Sequence, residues 1–228
     1  MRTDTAQPIR LKDYRPPVWL VDTVSLDFSL HPTQTKVRAT LALKPNPAAV
    51  AAPLVLDGDG VTLSALKLDG IALPAESYVA TPDGLTIPQV PNRPFTLEIE
   101  TLVDPTANTQ LSGLYRSSGT YCTQCEAEGF RRITYFPDRP DVMAVYTTRI
   151  EAEKTETPVL LSNGNLIESG DLAGGRHFAV WHDPHPKPAY LFALVGGNLA
   201  HIEDRFVPMS GRNVVLRIYV AARKSTRL

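Results

Sequence analysis

Val21-Asp-Thr-Val-Ser-Leu-Asp-Phe-Ser-Leu30 decides the fold class. Val24, Leu26, Phe28 and Leu30 fall on one side of an extended chain; Thr23, Ser25, Asp27 and Ser29 fall on the other. A period of two is the pattern of a strand with one face in a core and one in water. Pro32-Thr-Gln34 reads as a turn, after which the alternation resumes from Thr35 to Leu43, with Val37, Ala39, Leu41 and Leu43 inward. The two runs predict a long antiparallel hairpin, ended by Pro45-Asn-Pro47.

Working outward, the same pattern returns with turn residues between the runs. Leu54-Val-Leu56 is closed by Asp57-Gly-Asp-Gly60. Leu63 to Leu68 runs into Asp69-Gly70 and then Ile71-Ala-Leu73, a two-residue hairpin signal. Tyr78–Thr81 and Leu85–Ile87 flank Pro82-Asp-Gly84, and Phe95, Leu97, Ile99 and Thr101 alternate with polar residues. Val145–Glu151, Pro158–Leu161, Leu166–Glu168 and Arg176–His182 continue the theme. Ala189–Val195, apolar throughout, is expected to be a strand buried on both faces. His201–Phe206 and Val214–Val220 form a final hairpin around Ser210-Gly-Arg212, and Gly196-Gly197 is the candidate domain boundary. A helical period is hard to find. The best candidate is a turn or two at Asp138-Arg-Pro-Asp-Val-Met143, with Asp138 as N-cap and Pro140 early. Strands at this spacing indicate an all-β sandwich or saddle-shaped sheet assembly.

Composition excludes several classes. The 23 Lys and Arg nearly balance 24 Asp and Glu, and no basic run exceeds Arg131-Arg132 or Arg223-Lys224, so nucleic-acid binding is not expected. No apolar run approaches the ~18 residues of a membrane span, and Met1–Pro8 carries no apolar leader segment. Two cysteines cannot form a disulfide framework. The 20 prolines and 14 glycines among 228 residues stay well short of the ~25–30% share that marks disorder. The expectation is a cytoplasmic protein with no membrane and no nucleic-acid partner.

The chemistry-bearing residues gather in Tyr121-Cys-Thr-Gln-Cys-Glu-Ala-Glu-Gly-Phe130. Cys122 and Cys125 have redox or half-zinc spacing. However, no βαβ pattern surrounds them and no second Cys pair completes a zinc site, so two semi-buried loop thiols are the plainer reading. Glu126 and Glu128 would point the same way in an extended segment and would need a cation between them. That cation could be Arg131, Arg132, a ligand amine or a metal; alternatively one Glu pairs with an arginine and the other is solvated. His182, Asp183 and His185 lie close together in Trp181-His-Asp-Pro-His-Pro186, read as a rigid capped turn rather than a metal or triad site. The motifs H-E-x-x-H, G-x-S-x-G, Walker A and G-x-G-x-x-G are all absent.

The block Gln124-Cys-Glu-Ala-Glu-Gly-Phe-Arg131 resembles the N-terminal domain of bacterial aminopeptidase N, a zinc metalloaminopeptidase family of the gluzincin type. Further matches are Lys12-Asp-Tyr-Arg15, Asn108-Thr109, Gly113-Leu-Tyr115, Ile133-Thr-Tyr135, Asp138-Arg-Pro-Asp-Val142, Leu160-Leu-Ser-Asn-Gly-Asn165, Pro186-Lys-Pro188 and Tyr190–Val195. The resemblance implies a saddle-like β domain over residues 1–197 and the first hairpin of a thermolysin-like catalytic domain over 198–228. It also implies that Glu126 holds the free α-ammonium of a peptide substrate, with Gln124 lining the pocket for the first side chain. The family's zinc ligands and its G-x-M-E-N stretch have no counterpart here. The chain is therefore expected to carry no catalytic residue, to bind no zinc itself, and to be inactive without the missing catalytic domain. A non-catalytic interaction module on the same β surface is the rival reading.

Overall fold

The computed structural model describes residues 10–50 and 52–221. The N-terminal stretch Met1–Pro8 and the basic pair Arg223-Lys224 lie outside the described residues. Strands β1 (Trp19–Ser29) and β2 (Thr35–Pro45) form the expected hairpin, with Val24 opposite Leu41, Leu26 opposite Ala39 and Phe28 opposite Val37. All six of those side chains are fully buried. A bulge between Val21 and Thr23 breaks the strict alternation, so both Val21 and Val24 face inward.

Beyond them come β3 (Leu54–Asp57), β4 (Thr62–Leu68), β5 (Ile71–Ala72), β6 (Val79–Thr81), β7 (Gly84–Ile87) and β8 (Phe95–Val103). The β4–β5 turn has φ of +49° at Asp69 and +79° at Gly70, as a two-residue turn matched to strand twist requires. Then follow β9 (Gly113–Ser117), β10 (Thr120–Gln124), β11 (Ala144–Glu153), β12 (Val159–Ser162), β13 (Asn165–Asp171), β14 (Arg176–Lys187) and β15 (Leu194–Gly197). The last pair is β16 (Leu199–Phe206) and β17 (Val214–Ala221).

The protein is all-β. Eight strands form the main sheet in the order β13-β14-β11-β1-β2-β8-β4-β5. Smaller sheets are β12-β15-β10-β9, β3-β7-β6 and the separate hairpin β16-β17. Among the described residues every strand pairing is antiparallel except β1 with β11, which run parallel. The core lies between the main sheet and the smaller ones, where Phe28 stacks on Phe192 at 6.0 Å and Trp19 meets Phe95 edge-on at 5.6 Å. Each such side chain contributes about 1.5–3 kcal/mol by leaving water.

Two local expectations are corrected. Ala189–Val195 is not one strand: Ala189–Leu191 is a 3₁₀ turn after Pro188, closed by the Phe192 N–H to the Ala189 carbonyl at 3.0 Å, and strand begins only at Leu194. Its apolar run serves two purposes, since Ala189, Phe192 and Leu194 are buried while Leu191 is exposed. Asp138–Met143 is a turn, not a helix, with the Val142 N–H bonded to the Arg139 carbonyl. Asp138 does not cap it, because its carboxylate is buried against Arg131 instead.

Candidate functional site

The segment 121–132 leaves β10, turns sharply, and re-enters the core as a 3₁₀ turn at Phe130–Arg132. Its two ends are fixed by burial. Cys125 is inside, and Phe130 packs edge-on against Phe136 at 5.0 Å and Phe192 at 5.4 Å. Between those anchors the Gly129 N–H closes on the Cys125 carbonyl at 2.8 Å. Glu126, Ala127 and Glu128 are thereby pushed out to solvent on the turn. The extended geometry assumed for Glu126 and Glu128 does not hold, since both ride on a turn.

This turn borders an open cleft of about 670 Å³, whose lining includes Gly58, Asp59, Asp83, Glu126, Glu128 and Arg131. Glu128 lies 3.5 Å from the Arg131 guanidinium. Glu126 makes no ion pair among the described residues. Of the readings open for the two carboxylates, one paired and one solvated is what the structure contains. Gln124 ends β10, exposed, and its Nε2 donates to the Glu126 carbonyl at 3.3 Å; it is outside the cleft lining.

A scaffold of charged groups lies under the turn. The Arg131 backbone N–H and Nε both donate to Asp138 Oδ2, at 3.2 and 3.1 Å, and an Arg131 terminal nitrogen reaches the Asp138 carbonyl at 3.0 Å. The Asp138 N–H in turn donates to Asp57 Oδ2 at 3.0 Å. Burial pushes the Asp138 carboxyl above its usual range, with Arg131 opposing. Arg132 donates to Asp59 Oδ2 at 2.7 Å. Asp57 and Asp59 were legible only as turn residues of Asp-Gly-Asp-Gly, because their partners here are distant in sequence. Asp141 accepts from Arg139 at 2.8 and 2.6 Å and from the Tyr14 hydroxyl at 2.9 Å, joining two stretches distant in sequence.

The other candidates are structural. Burial pushes the Cys125 thiol up to about 12 and raises Cys122 as well, the opposite of an activated redox thiol. Trp181–Pro186 is part of strand β14 rather than a loop. There His182 Nδ1 lies 3.0 Å from Thr147 Oγ1, and Asp183 lies 3.0 Å from Lys187 Nζ. His177 Nε2 donates to the Thr157 carbonyl at 2.7 Å. Among the described residues no three His, Cys, Asp or Glu side chains gather as metal ligands, so this part of the chain does not fit a zinc ion.

The domain is all-β and presents a braced acidic turn at the edge of an open cleft. The Peptidase M1 N-terminal domain family matches residues 22–191, and the chain belongs to that family. It is 51% identical over 227 residues to aminopeptidase N of Caulobacter vibrioides, covering 100% of this chain and 26% of that protein. It is 46% identical to aminopeptidase N of Escherichia coli (strain K12), covering 91% of this chain and 23% of that protein. Among solved structures, aminopeptidase A of Legionella pneumophila in complex with aspartic acid superposes with a TM-score of 0.88 at 40% identity, over 93% of this chain and 25% of that one. An M1 zinc metallopeptidase from Deinococcus radiodurans shares the fold at a TM-score of 0.75 and 18% identity, over 90% of this chain and 48% of that one. The chain spans about a quarter of the length of the curated relatives it matches. Among the described residues no helix is long and apolar enough to cross a membrane.

Proposed function

We propose that this chain supplies the substrate-recognition wall of a cytoplasmic zinc aminopeptidase, and that Glu126 binds the free α-ammonium of the peptide. The observation that carries this reading is the state of Glu126: a carboxylate held at a cleft edge by buried anchors on both sides, with no ion pair among the described residues. An ammonium meeting such a carboxylate makes a short charge-assisted hydrogen bond. It also sets the scissile bond one residue from the anchor. Gln124, tied to the Glu126 backbone, lines the pocket for the first side chain in this reading.

Residues 198–228 are proposed to open the catalytic domain, which would bring the zinc, its activated water and the general base. The β16–β17 hairpin supports this. Among the described residues it pairs only with itself, and Ile202, Phe206, Leu216, Ile218 and Val220 are all exposed on it. A two-stranded hairpin is marginal alone and needs a further surface to pack against.

The test uses the complete enzyme. Glu126→Ala is expected to raise KM for peptides with a free N-terminus by roughly 10- to 100-fold, the worth of a charge-assisted hydrogen bond. It should also weaken amine-bearing inhibitors. Unchanged kinetics would refute the assignment.

A further inference from the structure

Two arginines share the cleft with Glu126. A guanidinium lining the same cleft can compete for a carboxylate meant to hold a substrate ammonium, because its fork matches carboxylate geometry. Neither arginine is on Glu126. Arg132 is held by Asp59 at 2.7 Å. Arg131 is held more thoroughly: Asp138 takes its backbone N–H, its Nε and a terminal nitrogen, which also lies 3.9 Å from Asp57 Oδ2, and Glu128 faces its other terminal nitrogen at 3.5 Å.

We propose that Asp138 is a positioning residue for amine recognition: by retaining Arg131 it keeps Glu126 open for the substrate. The inference rests on the reading of Glu126 given above. The Asp138 side chain is 3% exposed, whereas that of Glu128 is 68% exposed. The buried partner therefore sets where the guanidinium sits, since its ion pair is little screened by water. Asp138 is itself fixed through its N–H to Asp57. The chain thus runs Asp57, Asp138, Arg131, Glu128 and leaves Glu126 out. A tie needed only for stability would be served as well by a packed apolar pair. An ion pair at this place also decides which carboxylate in the cleft remains free.

The experiment uses the full-length enzyme and a peptide with a free N-terminus. Asp138→Asn releases Arg131 toward Glu126 and is expected to raise KM by roughly 3- to 10-fold, the range of a partly exposed ion pair that substrate must displace, with kcat nearly unchanged. Adding Arg131→Met to Asp138→Asn is expected to return KM to within about twofold of the parent, because the competitor is gone. A KM rise that Arg131→Met does not relieve, or no rise at all, overturns the proposal. Should Asp138→Asn fail to fold, the exposed variant Glu128→Gln takes its place; it is expected to give a smaller KM rise, again abolished by Arg131→Met, and an unchanged KM overturns the proposal. Glu126→Ala, measured in parallel, separates the two ideas. If it leaves KM unaltered, the reading of Glu126 fails. If it raises KM while the Asp138 and Glu128 variants do nothing, only the positioning role fails.

Discussion

Gly129 lies against the carbonyl oxygen of Gln124 so closely that a β-carbon built on it would overlap that oxygen. The same atom would also stand 2.9 Å from the Cys125 Cα and 3.0 Å from the Gly113 nitrogen, all backbone that cannot rotate away. The turn carrying Glu126 therefore closes only over a hydrogen atom. Gly129→Ala is expected to destabilise the protein by about 1–3 kcal/mol, the range of an overpacked site. Urea unfolding monitored by circular dichroism measures it, and an unchanged midpoint would contradict the close approach.

Phe130 is the inner anchor of that turn, fully buried among Phe136, Tyr146 and Phe192. Phe130→Ala is expected to cost about 3–5 kcal/mol through lost burial and a cavity. Phe130→Leu keeps most of the volume and should cost well under half of that. The pair of variants, compared by denaturant midpoint, separates packing from any general intolerance of the position.

The thiols give an alkaline prediction. Burial raises Cys125 to about 12, and the nearby Asp138 charge adds to it. In the unfolded chain a cysteine ionises near ~8.5. The folded state thus keeps a proton that the unfolded state gives up. The stability contributed is complete below the unfolded value and is lost as pH rises toward about 12. Urea midpoints should fall between pH 8.5 and 10.5 as an order-of-magnitude window, and Cys125→Ala should flatten part of that fall. At neutral pH both cysteines should resist iodoacetamide in the native protein and react fully in denaturant.

Asp141 gives the acid counterpart. The hydrogen bonds from Arg139 hold its carboxyl below the usual range, burial opposing and the Tyr14 hydroxyl assisting. A depressed carboxylate contributes stability above the unfolded value near ~3.9 and loses it as pH falls through the folded one. Asp141→Asn should make the acid limb of the stability profile shallower and cost under about 1 kcal/mol at neutral pH, because the group is partly exposed. It also releases Tyr14, so trypsin cleavage at Lys12 should accelerate.

How much of this could be read from residues alone depends on how local the signal is. The β1–β2 hairpin and the Asp69-Gly70 turn were legible because side-chain alternation and positive φ are written in adjacent residues. The parallel β1–β11 pair was not, since nothing near Val24 announces that Tyr146 lies beside it. Pro184 and Pro186 suggested a loop, yet both lie in β14. They fall beyond Asn165, where β13 stops pairing, and opposite the irregularity between Ala144 and Tyr146, so neither removes a needed ladder donor. In the site, Glu126 was legible through the block that carries the family resemblance. The Asp57–Asp138–Arg131 support was not, because it joins residues far apart in sequence.

The parallel pairing at the centre of the main sheet orders events during synthesis. β1 and β2 can close as soon as they leave the ribosome, and β8 can join them next. The other edge of β1 must wait for β11, about 120 residues later. Until then it offers unpaired N–H and C=O groups beside a fully apolar face, a template for any neighbouring chain. Pairing at such long separation also makes folding slow relative to stability. A nascent or truncated chain ending before residue 144 would accordingly be prone to aggregate, and chaperone protection matters most in that interval.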